Sequence, residues 1–131
     1  MKSTMKKALL PSLTLATLLL ISEGTAIRAD EVSNFYSGRQ VTLLVGFGAG
    51  GGADTYARLV GRHLGEHIPA KPAVIVQNMP GGGGLTATNH LYNAAAQDGS
   101  VIMLMQAALV LEPQMGNKNV RWDASKFQWL G

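Results

Sequence analysis

The chain of 131 residues contains no cysteine. That excludes disulfides, thiolate metal sites, iron–sulfur clusters and a cysteine nucleophile, and it leaves no thiol for a lipoprotein anchor. Aromatic residues are scarce, at 6%. Past residue 29 there is no excess of basic charge either. Four of the eleven Lys/Arg residues (Lys2, Lys6, Lys7, Arg28) and one of the eight acids (Glu23) precede it. Seven basic and seven acidic residues remain, a formal charge of zero. A neutral domain without a basic patch has no electrostatic footprint for a phosphate backbone, so nucleic acid is not an expected partner. The chain also lacks an apolar run long enough to span a bilayer. Its longest, Ala8 to Ile21, has 14 residues, against the ~20 that a spanning helix requires.

That run, preceded by three lysines and followed by small residues, has the form of an export signal. Residues 1–29 are read as a leader, cleaved after Ala26 or after Ala29, which places the remainder in the periplasm. Residues 30–131 suffice for one small domain and are too few for two.

Glycine is what the sequence has in excess. Of 16 glycines, nine fall in two clusters, Gly46 to Gly52 and Gly81 to Gly84. Each cluster follows a short β-branched run and precedes a helical pattern. The first strand is Val41–Val45. The helix after it starts near Asp54, with Ala53, Tyr56, Ala57, Val60 and Leu64 along its core side, and it stops before Pro69. Ala73–Val76 is the second strand. A second helix over Leu85–Ala95 turns Leu85, Thr88, Leu91, Tyr92 and Ala95 inward. After an Asp98-Gly99 turn comes a third strand, Ser100–Met105. This order predicts an α/β fold, a parallel βαβαβ unit with right-handed crossovers. Beyond it, Asp123–Lys126 reads as a helical turn and Phe127–Leu130 as the opening of a further strand. That strand is unfinished at Gly131, so the chain is expected to be part of a longer protein.

In a parallel sheet both glycine clusters lie at the carboxyl edge of the strands, where open α/β sheets bind ligands. Glycine lets a ligand approach the backbone, and each helix N-terminus presents unpaired N–H groups and partial positive charge. Two such ends suit a small anion without any lysine or arginine. Asp54 suits the first helix's opening turn, accepting from backbone N–H groups.

Three sharper patterns compete. Gly46-x-Gly48-x-x-Gly51 has the dinucleotide spacing, but the second strand closes on Gln77 and Asn78 where an acid should hold the ribose. The phosphate-loop spacing fails, because Gly52-Ala53 stands where Lys-Ser/Thr is required. His63-Leu64-Gly65-Glu66-His67 matches H-x-x-E-H, in which two histidines bind zinc and the glutamate acts as base. It would make the chain an exported metal-dependent hydrolase. Gly65 interrupts that motif, and only Glu112, Asp98 or Asp123 is offered as a third ligand. His90 reads as a lone helical histidine, and Tyr56, Tyr92, Trp122 and Trp129 as core or rim aromatics.

Several segments together resemble one family: Phe35-Tyr36-x-Gly38-Arg39, Val41 through Gly52-x-Asp54, Tyr56-Ala57-Arg58, Asn78-Met79-Pro80-Gly81-Gly82-Gly83, Asp98-Gly99 and Phe127-x-Trp129-Leu130-Gly131. They are similar to the periplasmic solute receptors of tripartite tricarboxylate transporters, the Bug family, over nearly all of Asp30–Gly131. The resemblance implies the first part of the N-terminal lobe of a two-lobed, type II binding-protein fold, with the second lobe absent. It implies a small di- or tricarboxylate ligand, membrane permease subunits as partners, a monomer when complete, no cofactor and no catalysis. It also implies ligand contacts from Phe47, Gly48, Ala49, Gly50, Gly51, Gly52 and Asp54 in one loop, and Pro80, Gly81, Gly82, Gly83 and Gly84 in the other. A truncated, non-functional receptor is the remaining alternative.

Overall fold

A computed structural model describes residues 24–131. Most of the expected leader, residues 1–23, lies outside the described residues. Helix α1 (Gly24–Tyr36) crosses both expected cleavage positions. It ends where Gly38 takes φ +70° and Arg39 N–H bonds back to Tyr36 O (3.1 Å), a glycine-terminated helix end. The guanidinium of Arg39 stacks 4.4 Å from the Phe35 ring, and the Tyr36 hydroxyl donates to Gly99 O (3.1 Å). The Tyr36 bond ties α1 to the turn ahead of the last strand.

The strands are β1 (Gln40–Val45), β2 (Ala73–Asn78) and β3 (Val101–Leu104). Helix α2 (Gly52–Leu64) joins β1 to β2, and α3 (Leu85–Asn93) joins β2 to β3. The sheet is parallel throughout, in the order β2-β1-β3, as the βαβαβ reading expects. Leu43 stands opposite Val76 on one side and Ile102 on the other.

With β1 central, the two crossovers run in opposite directions, and right-handedness sends their helices to opposite faces. Successive strand residues point to opposite faces too. Leu43 and Val45 therefore meet Ala57 of α2, with Phe47, Ala53, Val74, Val76, Ile102 and Leu104 packed around them. Gly61 lets α2 lie close, since a Cβ there would already touch Val74, Val76 and Leu43. On the other face α3 packs against β3. Its Thr88 hydroxyl donates to Gly84 O (3.0 Å) and lies 3.8 Å from Met103 Sδ.

Three expectations are corrected. Tyr56 is 56% exposed, so the buried stripe of α2 runs through Asp54, Ala57 and Gly61 instead. On α3 the fully buried positions are Ala87 and Thr88, with Leu85, Leu91 and Tyr92 half-buried, and the helix ends at Asn93. Phe127–Leu130 forms no strand. Rings hold that segment, Tyr92 to Phe127 and Phe127 to Trp129 at 5.6 Å each, while Trp129 Nε1 donates to Ala124 O (3.1 Å). The helical turn expected at Asp123–Lys126 is present over Ala124–Lys126, capped by the Asp123 side chain. Among the described residues no helix is long and apolar enough to cross a membrane.

Candidate functional site

Both glycine loops sit at the carboxyl edge of the sheet and touch through backbone. A Cβ on Gly46 would fall 2.7 Å from the Gly84 Cα, so only glycine permits this approach. Gly84 is in turn covered by Leu109, from the 3₁₀ turn Ala107–Leu111 that follows β3. In the order β2-β1-β3 the connections diverge between β1 and β3, and there the loop after β1, the end of the second glycine loop and the turn after β3 meet. Residues 106–111 were absent from the sequence-derived site. A short Ala-Ala-Leu-Val-Leu stretch has neither helical nor strand periodicity to announce it.

In the first loop Gly48, Ala49, Gly50, Gly51 and Gly52 are exposed, while Phe47 is half-buried against the core. Helix α2 begins after Gly51, which has extended backbone (φ −82°, ψ 174°) and offers no side-chain cap. Thr55 N–H makes the first bond back along the helix, to Gly51 O (2.9 Å). The N–H groups of Gly52, Ala53 and Asp54 lie ahead of that ladder, as expected of an uncapped N-terminus.

The second loop differs from expectation. Gly81, Gly82, Gly83 and Gly84 all have positive φ (142°, 54°, 64°, 102°), a run open only to glycine. This path folds the donors at the start of α3 back onto the loop. Gly84 N bonds Gly81 O (3.0 Å), Leu85 N bonds Gly82 O and Thr86 N bonds Gly81 O (3.3 Å). The helix end is satisfied internally. The exposed part of this loop is Pro80 to Gly83, with Gly84 buried in packing.

Asp54 is buried, at 3% exposure, and both its oxygens are engaged. Oδ2 accepts from Gly50 N–H (2.8 Å) and Arg58 Nε (3.0 Å). Oδ1 accepts from Asn78 Nδ2 (2.9 Å) and lies 2.9 Å from Arg58 Nη2. The Arg58 side chain first, then the Gly50 amide and Asn78, hold this carboxyl well below the usual carboxylate range. Asn78 also donates to Phe47 O (2.9 Å) and accepts from Arg58 Nη2 (3.2 Å). Asp54 thus ties the loops together rather than offering a free carboxylate. Asn78 closes the second strand where a dinucleotide site wants an acid, and its amide serves this tie instead.

The histidine motif does not form one helical face. The α-helix ends at Leu64 and a 3₁₀ turn takes Gly65–His67, so His63 and His67 fall in different elements, both exposed. Among the described residues no three His, Cys, Asp or Glu are grouped to hold a metal ion. His90 is exposed on α3.

The sequence is similar to two curated bacterial proteins. It is 33% identical over 98 residues to the UPF0065 protein in the tcbD-tcbE intergenic region of a Pseudomonas species, a match covering 75% of this chain and 28% of that relative. It is 31% identical over 115 residues to a UPF0065 protein of Bordetella bronchiseptica, covering 88% of this chain and 32% of the relative. The matched region thus spans under a third of each of these relatives. No family model matches the chain, and no solved structure matches it.

Proposed function

We propose that the chain is the first part of an extracytoplasmic solute receptor of the UPF0065, or Bug, type. It binds a small di- or tricarboxylate and delivers it to the permease subunits of a tripartite tricarboxylate-type transporter. The leader-like residues 1–29 support export to the periplasm. The similarity to UPF0065 proteins supports a binding protein rather than an enzyme. The observation that carries the ligand class is the meeting of two glycine loops at the sheet edge, in contact at Gly46 and Gly84 and tied through Asn78. Such an edge offers backbone donors and helix-end potential from α2, and the guanidinium beside it, Arg58, is engaged by Asp54 and Asn78. The hydrolase alternative finds no support in the dispersed His63, Glu66 and His67.

Titration calorimetry of the chain against a panel of small di- and tricarboxylates, with and without a metal chelator, tests this reading. Saturable binding of at least one acid, indifferent to chelator, is expected. Binding that vanishes with chelator, or no heat from any acid, contradicts it.

A further inference from the structure

The first glycine loop is gripped at two points. Phe47 C=O accepts from Asn78 Nδ2, and Gly50 N–H donates to Asp54 Oδ2. Asp54 and Asn78 bond each other, and Arg58 spans both. A peptide unit is planar and trans, so its N–H points opposite to its C=O. With the Phe47 carbonyl drawn to Asn78, the N–H of Gly48 is turned away from this clasp, on an exposed residue. With the Gly50 N–H drawn to Asp54, the Ala49 carbonyl turns outward too, an acceptor for water. A loop this rich in glycine would otherwise sample many backbone states. Fixing it beforehand lowers the ordering cost of binding.

We propose that Asp54, Arg58 and Asn78 are positioning residues of the carboxylate site, acting through the loop backbone to hold the Gly48 N–H outward as a ligand donor. The proposal rests on the carboxylate-receptor reading above.

Succinate is the probe, and the 131-residue chain is followed by backbone NMR. Asn78→Ala is compared with Asn89→Ala. The second variant removes an amide that also bonds backbone, but between α3 and residues 119–121, donating to Asn119 O (3.0 Å) and accepting from Arg121 N (2.9 Å). Both variants are expected to lower the melting temperature. Only Asn78→Ala is expected to speed exchange of the Gly50 amide, diminish the succinate-induced shift at Gly48 and weaken succinate about tenfold, the equivalent of one loop-ordering bond. Arg58→Ala, at a half-exposed position, gives the same direction with a smaller loss and serves if Asn78→Ala does not fold. Unchanged succinate affinity and Gly50 exchange in a folded clasp variant overturn the proposal while leaving the receptor reading intact. A wild-type chain that binds neither succinate nor any other small carboxylate overturns both.

Discussion

Asp54 carries a buried negative charge whose charged partner among the described residues is a half-exposed arginine on the next turn of its own helix. Its pKa is depressed in the fold, so the sign of its pH effect is fixed. The stabilisation is fully present above the unfolded carboxyl's value of about 4 and is lost as pH falls through the lower folded value. Urea melts of the wild type between pH 7 and pH 2 are expected to lose stability in that acid window. Asp54→Asn, which keeps an acceptor for Gly50 N–H, is expected to be less stable at pH 7 and to show a shallower acid limb. Equal acid limbs in the two proteins would contradict the ion-pair account. An acid in the first turn of α2 was legible from sequence, because helix starts favour one. The partners were half legible. Arg58 follows at helical spacing, but Asn78 lies 24 residues away, and nothing in the sequence linked it to Asp54.

The strand–glycine–helix repeat was legible because each element carries its own period. Apolar β-branched runs give strands, and glycines before a helical stripe give βα turns. Which helix face is buried was less legible. On α2 the sheet is met at Gly61, where close approach matters more than side-chain bulk, so Tyr56 turns outward. Phe127–Leu130 misled because a β-branched or aromatic run makes a strand only when a neighbour pairs with its backbone. Nor could sequence show that the four glycines of the second loop consume the first donors of α3. The contact between the loops gives a direct test of their geometry. Gly46→Ala puts a methyl group into the Gly84 backbone, and overpacking of this kind costs about 1–3 kcal/mol. Urea melts are expected to show that loss at the wild-type m-value, and a fully stable Gly46→Ala protein would contradict the contact.

Among the described residues both outer strands, β2 and β3, pair with β1 alone. The free edge of β3 borders a groove of about 650 Å³ lined by Val101, Met103, Met105, Tyr92, Phe127 and Trp129. Leu130 beside it is 83% exposed. An unpaired edge next to apolar surface is a template for association. Sedimentation velocity is expected to show the chain self-associating as concentration rises, and Met105→Lys to reduce it; a strictly monomeric wild type would contradict this. The proposed ligand site lies at the carboxyl edge, where the two glycine loops meet. Gly51→Asp places a carboxylate there without backbone strain, since Gly51 has φ −82° and its Cβ would meet only Gly48 O at 3.8 Å. Two like charges ~4 Å apart at an effective dielectric of ~20 repel by about 4 kcal/mol, which corresponds to two to three orders of magnitude in affinity. Calorimetric titration of the best-bound carboxylate into Gly51→Asp, Gly83→Asp and the His63→Ala/His67→Ala double variant is the most direct measurement. The glycine variants are expected to lose affinity by that factor and the histidine variant to bind as wild type. Normal binding by both glycine variants, with binding lost in the histidine variant, would contradict the carboxylate site and move the function to the histidines.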